Sequence, residues 1–209
     1  MKKGDLIGPI YFAVLVALII IFLKPFVELT KAYPLQMGFF KVGLLGTFGE
    51  CLKMRLRTGS WKITYPLQRA FVWGLFGIWF AWAFPVFRGG VATELIAKKL
   101  WFGGPTVVKA FSKSLWINVF GGYAYFMMLT HEYINKIIEK QGLVSAREFK
   151  EKLIPEVWFP CLKWSSIPMT ILWFWVPAHT VTFSLPGHFQ VLCAAMLSVA
   201  LGFILTIKK

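Results

Sequence analysis

The chain has 209 residues, of which 57% are hydrophobic and 18% aromatic, and carries a net charge of +14. Soluble domains are about 45–50% apolar, so the excess argues against a wholly water-facing globule. A basic chain could serve nucleic acid only through a basic face on a soluble surface. Here Lys and Arg lie almost wholly between apolar runs, so no nucleic-acid partner is expected.

Six apolar segments are predicted, each suited to carry a helix through the roughly 30 Å hydrocarbon core. The expected fold class is all-α: a polytopic transmembrane helical bundle forming one membrane domain over 1–209, with one or two interfacial or surface helices. Segment one, Leu6–Leu23, reads as an uncleaved span, because it outruns a signal-peptide core and lacks an A-x-A-like site. Segment two, Pro34–Glu50, holds Lys41, Glu50 and the glycines Gly38, Gly43, Gly46 and Gly49. Segment three, Ala70–Phe87, is charge-free between Arg69 and Arg88. Val91–Trp101 sets Leu95, Ile96, Leu100 and Trp101 against Glu94, Lys98 and Lys99, a pattern that predicts a separate helix lying in the interface.

Segment four is Ser114–Thr130. From His131 to about Leu153 the chain turns polar and mixed in charge, which predicts a surface helical hairpin whose second half opens at a Ser145–Glu148 capping box. Segment five, Trp164–Leu185, includes Pro168, Pro177 and His179, and segment six, Phe189–Ile207, follows after Pro186, Gly187 and His188, a spacing that predicts a tight hairpin. With six spans and the N-terminus inside, 15 basic residues fall in inside regions and 7 outside, with Lys41 within a span. The rule that cytoplasmic loops are basic therefore places both termini inside. The basic loops are expected to meet anionic lipid headgroups. The Met-Lys-Lys start, without transit-peptide composition, points to a prokaryotic plasma membrane ahead of an organelle membrane.

Ionisable residues at membrane depth are costly and mark the first place to look for function. Lys41 and Glu50 are nine apart, so on a straight helix they point to opposite faces. Glu50 shares a face with Gly43 and Gly46, where another helix can come close. It is expected either to line an internal polar path or to pair with a nearby base such as Lys53 or Arg57, while Lys41 is expected either to snorkel toward an interface or to stand with Glu50 as a pore-lining or buried polar residue. Pro177 removes a backbone donor and kinks segment five, so His179 and Thr180 either line a path or repair the kink. Asn118 with Gly121 and Gly122, and Gly43, Gly46 and Gly49, are read as helix-packing positions, Asn118 also as a buried polar candidate. The tryptophans, among them Trp61, Trp79, Trp82, Trp101, Trp158, Trp164, Trp173 and Trp175, mostly read as interface belts.

Catalytic signatures are lacking. His131-Glu132 begins an H-E-x-x-H pattern but position 135 is Asn, and there is neither a G-x-S-x-G nor a phosphate-binding loop. The odd set Cys51, Cys161 and Cys193 contains no C-x-x-C pair. No cofactor, no metal and no enzymatic activity are expected.

From Tyr33 onward the chain resembles the Mpv-seventeen family, which includes the twenty-two-kilodalton peroxisomal membrane protein. Three stretches carry the likeness: Tyr33-Pro34 with the glycine-rich Val42–Glu50; Arg69–Phe87 with Gly74 and Gly77; and a tail of Trp158, Pro160, Trp173, Val176-Pro177 and a closing apolar helix. The chain lacks the Gln, Asn and Arg of the family pattern around Val176-Pro177, and its tail is longer. Glu50 stands for the family's aspartate. The resemblance implies a channel-like protein that modulates membrane permeability to small solutes. The rival readings are a scaffold, in which the glycine faces hold a second copy or a partner subunit, and a lipid-modifying enzyme using His179 or His131 as a base.

Overall fold

The computed structural model describes residues 4–139 and 146–207. It is all-helical, 86% helix, with no strand among the described residues. Two compact units emerge. One gathers the chain up to Trp82 with the chain from His188 on; the other is Ala83–Gly187.

In the first unit, α1 (Gly4–Ile21) and α2 (Leu23–Ala32) meet at a bend of 85°. Helix α3 (Pro34–Thr58) opens on Pro34, whose fixed φ suits the first helical position. It closes on Gly59, where φ is +72° and the amide donates to the Arg55 carbonyl at 2.9 Å. A left-handed cap of this kind costs glycine nothing. No breaker intervenes before Gly59, so the helix runs eight residues past Glu50 and takes in Lys53, Arg55 and Arg57. Helix α4 (Pro66–Gly90) passes directly into a π-helical turn, Val91–Ile96. Helix α11 (Gly187–Ile207) is the last described element.

Glycines decide how α3 and α4 meet. A Cβ on Gly38 would lie 2.5 Å from the Gly77 carbonyl oxygen, one on Gly43 3.1 Å from that of Ala70, and one on Gly46 2.5 Å from the Trp73 ring. From Gly38 beside Gly77 at one end to Glu50 beside Arg69 at the other, the partner on α4 falls as the position on α3 rises, so the two helices run antiparallel, at backbone contact where Gly38 meets Gly77. Gly49 lies on another side, toward the Ser198 carbonyl of α11.

The second unit holds the end of α4, then α5 (Thr106–Leu115) with the π-turn Trp116–Phe120, and α6 (Tyr123–Glu139). The short α7 (Ala146–Glu148) leads through a π-turn, Phe149–Leu153, to α8 (Ile154–Leu162). Next come α9 (Ile167–Thr170), the π-turn Ile171–Trp175 and α10 (Val176–Ser184). Helix α10 packs along α5, and α8 lies against α6.

Several expectations are corrected. Among the described residues one helix, Pro66–Ile96, with an 18-residue stretch of mean hydropathy 1.7, is long and apolar enough to cross a membrane, or two if α1 and α2 count as one bent span. About six were expected. Segment two is long enough but dilutes its apolar residues with Lys41, Glu50 and glycine. Segment four breaks at Gly121-Gly122, where Gly122 takes φ +63°. Segment five begins only at Ile167, because 163–166 form a turn. Segment six lies in α11 (Gly187–Ile207), whose apolar stretch among the residues with described side chains is Gly187–Ala200.

The interfacial helix is not separate either, since 91–96 continue α4 and the chain turns at 97–101. The first half of the polar hairpin is likewise the continuation of α6. The proposed capping box involves Ser145, which lies outside the described residues. Among the tryptophans, Trp175 is a core residue at 5% exposure, whereas Trp82, Trp164 and Trp173 are exposed.

Candidate functional site

Two buried polar clusters stand out, one in each unit. In the first, the Glu50 carboxylate accepts from Arg69 Nη1 at 3.0 Å and from Trp73 Nε1 at 2.9 Å. The Arg69 side chain also donates through Nε to the Thr64 carbonyl at 2.8 Å, and the two charged side chains are only 9% and 12% exposed. This corrects the expected pairing of Glu50 with Lys53 or Arg57. The glycine contacts turn the Gly43–Gly46 face of α3 toward α4, and Glu50, on that same face, meets the start of α4. Arg69 is held by the Thr64 backbone, so its guanidinium is already fixed before it meets the carboxylate. A buried pair is worth its desolvation cost only with such extra hydrogen bonds.

Lys41 points the other way, as its spacing requires. Its ammonium donates to Thr30 Oγ1 at 2.6 Å and sits 4.4 Å over the Phe26 ring. At 6% exposure it does not snorkel to an interface. The reason is α2, which folds back at the 85° bend and covers it. Lys41 and Glu50 are therefore not brought together.

The same unit has a third polar contact that sequence reading missed. Asp5, the sole aspartate, accepts a bidentate pair from Arg55 and a hydrogen bond from Trp61 Nε1 at 3.1 Å. It ties the start of α1 to the end of α3 and the loop beyond.

In the second unit the network runs through Asn118. Its amide donates to the Ser114 carbonyl at 2.8 Å and to Ser114 Oγ at 3.1 Å. A carbonyl can only accept, which fixes the nitrogen of the amide on that side. The oxygen, Oδ1, thus faces His179 Nδ1 at 2.9 Å, and the imidazole must carry its proton on Nδ1 and donate it. Ser114 Oγ donates in turn to the Val176 carbonyl at 2.7 Å. Thr180 Oγ1 donates to that same carbonyl at 2.8 Å, within its own helix. Asn118, His179 and Thr180 are therefore brought together around the Val176-Pro177 segment. The repair clause of the kink reading applies to Thr180, which satisfies local backbone, whereas His179 reaches across to Asn118 in the π-turn after α5. Pro177 follows a π-turn and lies within a helical run rather than at a sharp break.

Of the packing glycines, Gly43, Gly46, Gly49 and Gly121 each face a close neighbour; a Cβ on Gly121 would lie 2.7 Å from the Phe87 ring. Gly122 does not pack: open space surrounds its Cβ position. Its role is the positive φ that separates the π-turn from α6. His131 lies beside Asn135, whose amide comes within 3.2 Å of the ring. Among the described residues no three His, Cys, Asp or Glu side chains gather as metal ligands do.

Arg69, Trp73 and Ser114 are the site residues that sequence reading missed. The signal for Arg69 was present in the glycines, because an antiparallel register anchored at Gly43 and Gly46 leads to the start of α4.

The chain matches no protein-family model, no curated protein and no solved structure with which it was compared.

Proposed function

We propose that the chain is a multi-pass membrane protein, channel-like and akin to the Mpv-seventeen family, that modulates membrane permeability to small solutes. The observation that carries this reading is the Glu50–Arg69 pair. It is a nearly buried ion pair set between two helices that are otherwise apolar along their contact. Charges in apolar helices are expensive, and function is their default explanation. Engaged with Arg69 and Trp73, Glu50 has its carboxylate oxygens committed, so this arrangement corresponds to a closed path. Separating the pair would expose a carboxylate and a guanidinium and draw water between α3 and α4.

Membrane insertion is supported by large apolar side chains left exposed well beyond α4. Phe120, Phe126, Trp173 and Val181 are each more than half exposed on the broken helices. Exposed apolar surface on this scale marks contact with lipid or a partner. Interrupted helices are tolerated at membrane depth where protein covers the freed backbone groups.

A scaffold without transport is the second reading, favoured by the way both polar clusters satisfy their hydrogen bonds internally. Ion flux and single-channel conductance in liposomes containing only this protein separate the two. The channel reading expects conductance above protein-free bilayers, altered by Glu50→Gln. The double variant Glu50→Gln/Arg69→Met removes both charges and controls for a stranded guanidinium. A silent bilayer with folded protein contradicts it and leaves the scaffold.

A further inference from the structure

The second unit gathers three cations: Arg88 near the end of α4, and Lys109 and Lys113 on α5. Lys109 and Lys113 are four apart, so they share one face of α5. A Cβ at Gly187 would collide with Arg88 Nη1, so the guanidinium fills the space that this glycine leaves empty. Gly187 lies three residues beyond α10, the helix that packs along α5. Nothing lies within 4 Å of the Cβ positions of Gly89 and Gly90, so the helix end beside Arg88 is open. The three charges feel one another: burial, then the charges of Arg88 and Lys109, hold the half-buried Lys113 ammonium below its ordinary range. No acid offsets them. Among the described residues no carboxylate lies within ion-pair distance of any of the three. Glu94 is the only acid between Glu50 and Glu132, and it is engaged by Lys98. A cluster of this kind gains from an anion.

We infer that Arg88, Lys109 and Lys113 form a binding site for a phosphomonoester, with the Arg88 guanidinium as its fixed member. Arg presents paired N–H donors that match two phosphate oxygens, and Lys adds a point charge. A phosphodiester carries one negative charge against three positive ones, whereas a monoester carries about 1.5 to 2 near neutral pH. Arg88 closes apolar segment three and Lys113 precedes segment four, which is the level of phospholipid headgroups. A lipid phosphate and a soluble one are both sources of this chemistry. The site goes beyond the permeability reading and does not depend on conduction; the lipid source alone rests on membrane insertion.

The test uses the full chain in phosphatidylcholine nanodiscs, with phosphatidic acid in the disc or glycerol phosphate in the buffer, followed by phosphorus NMR. Binding is expected to saturate at one phosphomonoester per chain. Phosphatidylglycerol, a diester, is expected to compete about tenfold more weakly. Lys113→Met and Arg88→Met are each expected to weaken binding about tenfold, the loss of one charge-assisted contact. Arg88→Met decides the matter if Lys113→Met does not fold. Lys62→Met, which removes an exposed base of the first unit, is expected to leave binding unchanged. Binding of phosphatidic acid alone supports the inference with a lipid headgroup as the source, and equal binding of glycerol phosphate supports it with a soluble one. Absence of saturable binding by both overturns it. Equal competition by phosphatidylglycerol, or a loss in Lys62→Met that matches the other two, also overturns it and assigns the attraction to diffuse basic charge.

Discussion

Asn118 shows how a single residue can be read for energy as well as position. It is 1% exposed and links Ser114 to His179. Replacing it by alanine strands the His179 Nδ1 proton, and an unsatisfied buried donor costs about 1–3 kcal/mol. Thr180 differs, because its hydroxyl back-bonds within its own helix and its carbonyl acceptor keeps Ser114. Asn118→Ala should therefore destabilise the protein by about 1–3 kcal/mol, and Thr180→Val by clearly less, as measured by reversible denaturant unfolding in detergent. Equal losses would show that the Asn118–His179 bond carries no special weight. The sequence made Asn118 and His179 visible as polar residues in apolar runs. Their partnership was not legible, since they lie 61 residues apart and meet through packing. Lys41 and Glu50 were legible in one respect, their opposite faces, which follow from 3.6 residues per turn.

Helices α3 and α4 depend on missing side chains. Gly38 and Gly77 meet at backbone contact, and the same seam sets Arg69 beside Glu50. Gly77→Leu should force the helices apart, costing about 1–3 kcal/mol by overpacking and loosening the Glu50–Arg69 pair. Gly89→Ala is the matched control, because nothing lies within 4 Å of its Cβ position. Alanine there should stabilise by about 0.5–1 kcal/mol through helix propensity. Thermal unfolding followed by helicity checks both, and similar effects at the two positions would contradict the seam. The helix start at Pro34 was legible in residue chemistry, whereas the stop at Gly59 and the start at Pro66 lie beyond the expected ends at Glu50 and Ala70, because polar residues there continue the helices without facing lipid. The π-turns and the break at Gly122 were not legible, because an apolar run gives no sign of which carbonyl its amides will choose.

For the whole molecule the main divide is between apolarity and continuity. Composition pointed to a helical protein with a large lipid-facing surface, and the structure is helical with many large apolar residues exposed. Six unbroken spans were too simple a translation of six apolar runs. A run specifies what its side chains avoid, whereas glycine pairs, turns and bends decide where the helix ends. The proposal that the broken segments nevertheless lie in the bilayer is open to a direct check. Single cysteines at Lys62, Lys99, Lys163 and His188, with Cys51, Cys161 and Cys193 replaced, can be labelled with a membrane-impermeant maleimide in vesicles of both orientations. Multi-pass insertion predicts that positions 62 and 163 label from one side, and 99 and 188 from the other. Labelling of all four from the same side, or release of the protein by an alkaline wash, would contradict it.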